Sequence, residues 1–256
     1  MNDETTYIFS SIKTSFFTYN MTIQERIKTL REVLNLHNHK YYVLDNATIS
    51  DFDFDIKLKE LEKLELENPA FFDGNSPTQR VGGAITKNFN TVAHKNRMYS
   101  LDNSYSKEDL LDWEKRVQKV LGTTETEYTC ELKFDGASIN LSYENGQFIK
   151  AVTRGDGFQG DDVTANIKTI LSIPLIPHLD FISNFEMRGE IILPIEGFNK
   201  MNLARVANGE EEYRNPRNTA SGSLKLQDSG EVAKRPLDCL LYQVVTEERK
   251  YKTHFE

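Results

Sequence analysis

One dipeptide, Asn145-Gly146, restricts the folding of this chain more than any other pair of residues. It separates two runs, 138–144 and 147–153, in which apolar and polar residues interleave. A two-residue hairpin turn needs positive φ at both central positions, which asparagine and glycine tolerate, so the runs are expected to pair as an antiparallel hairpin. Just upstream, Tyr128-Thr-Cys-Glu-Leu-Lys-Phe-Asp-Gly136 continues the strand-like texture. Strand alternation would send Glu131, Lys133 and Asp135 to one face and Leu132 and Phe134 to the other. Just downstream comes a glycine-rich loop, Arg154-Gly-Asp-Gly-Phe-Gln-Gly-Asp-Asp162.

The flanking segments are mixed in type. Thr22 and Glu25 have capping-box spacing, and Ile23, Ile27, Leu30 and Leu34 mark one face of a helix expected to end near His39. Ser50 opens a second helix, which Asn68-Pro69 stops. Residues 73–97, rich in Gly, Pro, Ser, Thr and Asn, are expected to form an ordered connector. An amphipathic helix is expected over 109–121, followed by a short helix over 163–171 and a strand over 185–193. Pro194 should start a helix to about Ala207, and 237–245 a final strand.

Composition narrows the class. Apolar residues make up 38% and charged residues 27%, mean hydropathy is −0.54, and 31 basic against 39 acidic residues leave a net charge of −8. That describes a globular chain without a membrane span, and a nucleic-acid surface would have to be local. Cys130 and Cys239 lack metal or redox spacing and are expected to be buried free thiols in a reducing compartment. Residues 1–20 carry no secretory pattern and are expected to be a disordered extension or a start assigned too early, with the mature chain cytoplasmic and monomeric.

Three features invite chemistry. Gly155-Asp-Gly157-Phe-Gln-Gly160 satisfies the dinucleotide fingerprint of a Rossmann oxidoreductase, but it follows the second arm of an antiparallel hairpin rather than opening a parallel βαβ unit. Lys133 could attack an electrophile only as the free amine, and Asp135 on the same face opposes its deprotonation unless a divalent cation intervenes. Tyr41, Tyr42, Asp45, Asp51, Asp53 and Asp55 crowd one turn; by pattern alone these acids read as helix caps and a solvated face.

Lys133-Phe-Asp135-Gly136 resembles the active-site motif of covalent nucleotidyltransferases. With Thr153-Arg-Gly-Asp-Gly157, Arg188-Gly-Glu190, Asn215-Pro-Arg-Asn218, Ser100-Leu-Asp-Asn103, Ser76-Pro-Thr-Gln-Arg-Val-Gly82 and the Tyr41 and Ser50 segments, the chain from residue 21 onward resembles the bacterial NAD+-dependent DNA ligases. The resemblance implies an α+β fold. A helical cap over 21–75 would bind nicotinamide mononucleotide, and a mainly antiparallel, ATP-grasp-like nucleotidyltransferase domain over 76–256 would end before its last strands.

It also implies roles. Lys133 would be the nucleophile that takes AMP from NAD+, with Asp135 beside it. Glu131 would read adenine, Ser100 and Leu101 would line its pocket, and Arg154 and Glu190 would lie near ribose and phosphates. Arg217 and Lys225, the latter an arginine in some relatives, would meet phosphate or DNA. Tyr41, Tyr42, Asp51 and Asp55 would hold the nicotinamide mononucleotide. NAD+ and Mg2+ are the implied cofactors and nicked duplex DNA the partner of the whole enzyme, this chain supporting at most weak self-adenylation. The other readings are a non-catalytic nucleotide- or DNA-binding remnant and, more distantly, the Rossmann oxidoreductase.

Overall fold

The computed structural model describes residues 21–42, 48–80, 89–177, 183–248 and 252–253, without the side chains of Tyr41, Tyr42 and Asp51. The expected extension over 1–20, Asp45 and the middle of the connector, 81–88, lie outside the described residues.

Two helices come first, α1 (Ile23–Tyr42) and α2 (Asp51–Glu67). Both starts follow from local chemistry. The Glu25 amide donates to Thr22 Oγ1 at 3.2 Å while the Thr22 amide donates back to Glu25 Oε2 at 2.8 Å, and the Asp53 amide donates to Ser50 Oγ at 3.1 Å. These bonds satisfy amides that have no partner within the helix. Ile27, Leu30, Leu34 and Leu61 are buried between the helices. Arg31, largely buried, pairs with Glu65 at 2.6 Å and donates to the Phe71 carbonyl at 2.7 Å; Thr78 donates to the same Glu65 carboxylate. The helical pair therefore carries residues 68–80 with it.

The connector ends in a buried arginine. Arg80, 5% exposed, donates to the carbonyls of Lys168, Ile170 and Ile173 at 3.1–3.2 Å. In return Lys168 Nζ donates to the Gly74 carbonyl at 2.6 Å, and burial holds its pKa below the ordinary lysine value. These four bonds fasten the helical unit to the second half of the chain.

That half contains β1 (Thr91–Ala93), α3 (Lys107–Leu121), β2 (Ala137–Glu144), β3 (Gln147–Thr153), β4 (Gln159–Asp161) and the one-turn α4 (Thr164–Ile167). It continues with β5 (Phe185–Ile192), α5 (Ile195–Ala207), α6 (Pro216–Leu224), α7 (Ser229–Ala233) and β6 (Asp238–Val245). Strands β3-β2-β5-β6 form one sheet with every neighbour antiparallel, and β1 pairs with β4. The Asn145-Gly146 turn has φ of 50° and 70°, the expected hairpin geometry. Ile139, Leu141 and Tyr143 point to the core, where the Tyr143 ring stacks on Phe185 at 4.7 Å and its hydroxyl donates to the Pro174 carbonyl at 2.8 Å. Ser138, Asn140 and Ser142 alternate onto the opposite face.

Four expectations need correction. The run 128–135 is not a strand: β2 begins at Ala137, and Glu131, Lys133 and Asp135 are exposed in irregular chain. Both edges of β2 are already taken by β3 and β5, and alternation alone supplies no hydrogen-bonding neighbour. Cys130 is consequently exposed, whereas Cys239 on β6 is partly buried and its thiol pKa is raised by burial. The helix expected over 163–171 is a single turn, Thr164–Ile167. Helix α3 forms on its Ser106/Asp109 capping box, but none of its residues is buried, and Trp113 meets only the Tyr128 ring, at 5.3 Å, among the described ring contacts. A strong cap sets a helix without supplying a surface for its apolar face.

Replacing Arg80 by Met leaves three buried carbonyls without their donor. It should lower stability by about 3 kcal/mol, read as a reduced urea midpoint with an unchanged slope.

Candidate active site

A cavity of about 540 Å3 opens where the start of β2, the glycine loop, β5 and α6 converge. Its walls bring together Lys133, Asp135, Arg154, Glu190, Arg217 and Lys225, residues that the sequence scatters over four segments. Each is placed by a local device. Gly136 passes so close to β5 that a Cβ on it would run into the Ile191 carbonyl, and this close approach delivers Lys133 and Asp135 to the mouth. Glu190 faces the cavity from β5 opposite Ser138, whose hydroxyl donates to Glu190 Oε2 at 2.7 Å. Asn215 caps α6 by accepting from the Asn218 amide at 2.8 Å, which sets Arg217 in the first turn.

The glycine loop is braced rather than loose. Gly157 has φ of 92°, and its carbonyl accepts from the Met98 amide at 2.9 Å; the Phe158 carbonyl accepts from the His94 amide at 2.8 Å. Inside the loop, Asp156 Oδ1 accepts from the Phe158 and Gln159 amides, and the Gln159 bond is the main reason its pKa lies below the ordinary value. The Arg97 guanidinium lies 4.2 Å from the centre of the Phe158 ring and 5.0 Å from that of Tyr99. The loop joins antiparallel β3 to β4, so its glycines shape a turn between strands and do not open the helix of a parallel unit, which removes the ground for the oxidoreductase reading.

Two ion pairs cross the cavity. Arg217 Nη1 lies 3.0 Å from Asp135 Oδ1, and Lys225 Nζ lies 2.9 Å from Asp161 Oδ2. All four side chains are at least 31% exposed, so each pair is worth about 0–1 kcal/mol in stability.

The remaining expected site residues are not gathered here. Glu131, Ser100 and Leu101 are exposed and do not line the cavity. Asp55 is exposed on α2, and the side chains of Tyr41, Tyr42 and Asp51 lie outside the described residues. Conversely, the cavity contains residues that the motifs did not single out. Ser138 and Asp161 are two; alternation along β2 could have indicated the first, but nothing in Asp161-Asp162 tells the two acids apart, and Asp162 instead binds the Thr164 amide. Tyr242 on β6 is a third neighbour, its hydroxyl pKa raised first by burial and then by the Glu190 carboxylate.

Residues 86–256 match the family model of the NAD-dependent DNA ligase adenylation domain, and residues 20–82 match the DNA ligase-like, N-terminal NAD+-binding domain. The chain belongs to the NAD-dependent DNA ligase family. It is 68% identical over 236 residues to a DNA ligase of Flavobacterium johnsoniae and 66% identical over 236 residues to one of Flavobacterium psychrophilum. Each match covers 92% of this chain and 35% of the relative. A DNA ligase of Bacteroides fragilis is 51% identical over 237 residues, covering 92% of this chain and 36% of its own length. The chain thus spans about a third of the length of these ligases, a span that takes in the helical pair and the sheet with its cavity.

Gly157→Ala would place a Cβ at positive φ against the Met98 carbonyl. The expected cost is about 1–3 kcal/mol, seen as a lowered thermal midpoint.

Proposed function

We propose that this chain carries out the NAD+-consuming step of a DNA ligase. In this step the Lys133 amine, as the free base, attacks the α-phosphorus of the AMP half of NAD+. A P–N bond forms, the pyrophosphate P–O bond breaks, nicotinamide mononucleotide leaves with the electron pair, and the attacking nitrogen gives up one proton to water. The observation that carries this reading is the meeting of Lys133, Asp135, Arg154, Glu190, Arg217 and Lys225 around one cavity. Phosphoryl transfer asks a protein mainly for positioning and charge neutralisation, and Arg154, Arg217 and Lys225 are the groups here that can neutralise phosphate oxygens.

Mg2+ suits the donor set. It is commonly held by one or two carboxylates together with phosphate oxygens and water. Asp135 and Glu190 are the groups that would hold it, and its charge would offset that building on the phosphoryl oxygens.

The helical unit over 21–75, with Tyr41, Tyr42, Asp51 and Asp55, is assigned to the nicotinamide mononucleotide half, whose cationic ring suits aromatics and carboxylates. Residues 76–256 are assigned to the AMP half. Glu131, Ser100 and Leu101 keep their adenine roles in this reading only if the exposed segments 99–105 and 123–135 fold onto the nucleotide. Nicked duplex DNA is the partner proposed for the longer enzyme, which would pass AMP to the 5′-phosphate and let the 3′-hydroxyl displace it.

Two experiments test the reading. With Mg2+ and NAD+ labelled in its adenylate, wild-type chain should acquire covalent label slowly, because Lys133 is exposed and unsupported by a strand, and Lys133→Ala should acquire none. Reversible AMP binding with no covalent label under any condition would leave a nucleotide-binding module and overturn the assignment. Asp55→Ala should reduce labelling from NAD+ by about tenfold, the loss of one charged contact, while leaving AMP affinity unchanged; equal losses in both would remove Asp55 from the nicotinamide side.

A further inference from the structure

Helix α6 runs along the cavity with a cation at each end, Arg217 in its first turn and Lys225 just past its last. Eight residues of helical rise separate them by about 12 Å. Each cation is held by a carboxylate of another segment, and the two carboxylates differ in how they are mounted. Asp135 lies in irregular, exposed chain. Asp161 sits on β4, where it is opposite Thr91 of β1 and its amide donates to Thr153 Oγ1 at 3.0 Å. Its backbone is thus fixed from two sides while its carboxylate contacts Lys225 at 2.9 Å, and Lys225, 54% exposed on a flexible stem, is the partner free to move. The loop does not need that carboxylate for its shape, since Asp156, Asp162 and the amides of His94 and Met98 supply its bonds.

We infer that Asp161 is a positioning residue that competes with phosphate for Lys225. An anion gains Lys225 only by displacing a carboxylate already at contact distance. Phosphate and pyrophosphate meet the same competitor, and the repulsion each would feel from the Asp161 carboxylate grows with its own charge. The carboxylate thereby weakens the hold of the cavity on any phosphate group that reaches Lys225. This rests on the nucleotide reading of the cavity given above.

The test is calorimetric binding of inorganic pyrophosphate and of inorganic phosphate to the 256-residue chain, in EDTA so that no metal bridges the carboxylates. Asp161→Asn, nearly isosteric, should tighten phosphate about threefold or more and the more highly charged pyrophosphate at least as much. Lys225→Gln should weaken pyrophosphate and abolish the effect of Asp161→Asn in the double variant. Glu144→Gln, which removes one negative charge at the far end of β2, should change neither. Unchanged or weaker phosphate binding in Asp161→Asn overturns the inference, as does an equal gain in Glu144→Gln, which would reduce it to net charge. Asp161→Ser serves as the second variant if Asp161→Asn fails to fold. The covalent labelling of Lys133 is read separately: its absence with the Asp161 effect intact sinks the adenylation reading alone, and its presence without the effect sinks the inference alone.

Discussion

Strand β2 is bonded along both edges, to β3 through the Asn145-Gly146 turn and to β5 across the sheet, and most of the second half of the chain takes its position from that arrangement. Because alternate residues of a doubly paired strand cannot exchange faces, Ile139, Leu141 and Tyr143 are committed to the core and Ser138 to the cavity. The same register sets Glu190 opposite Ser138 and brings Gly136 against Ile191, so the Lys133 segment enters the cavity at a defined point although it is not itself a strand. A slip of one residue in β2 would bury the serines and expose the core.

Around this frame the strong interactions are buried and those of the cavity are not. Arg80 and Lys168 tie the helical unit to the sheet unit through carbonyls that have little access to water, and Arg31 with Glu65 stiffens the helical unit itself. The ion pairs of the cavity are half-exposed and individually weak. That division suits the proposed site, whose charges would change partners on binding a phosphate: rigid carbonyl contacts hold the units in place, while exposed pairs exchange at little cost.

Much of the fold was legible in the residues. Thr22/Glu25 and Ser50/Asp53 announced two helices, Asn145-Gly146 announced the hairpin, and Pro194 announced α5, because each is settled by hydrogen bonds or φ preferences within a few positions. The Lys133, Arg154, Glu190 and Asn215-Pro-Arg motifs likewise pointed to residues that do share one cavity. The failures have a common cause. Residues 128–135 have a strand's alternation but pair with no strand, and α3 has an amphipathic face that none of the described residues buries. A pattern states what a segment could bury; whether anything stands opposite is a long-range fact.

The sequence by itself therefore determined the local devices, the helix caps, the two-residue turn and the identity of the groups available for chemistry, since these depend on neighbours three or four residues away. Tertiary structure alone decided that Asp161 and not Asp162 reaches Lys225, that Ser138 joins Glu190, and that Arg80 ends among three carbonyls. Those contacts join segments that only sheet register and helix docking bring together. The hairpin turn belongs to both accounts: its φ preferences follow from two residues, and its consequence, a sheet with a core face and a cavity face, exists only once β5 closes against β2.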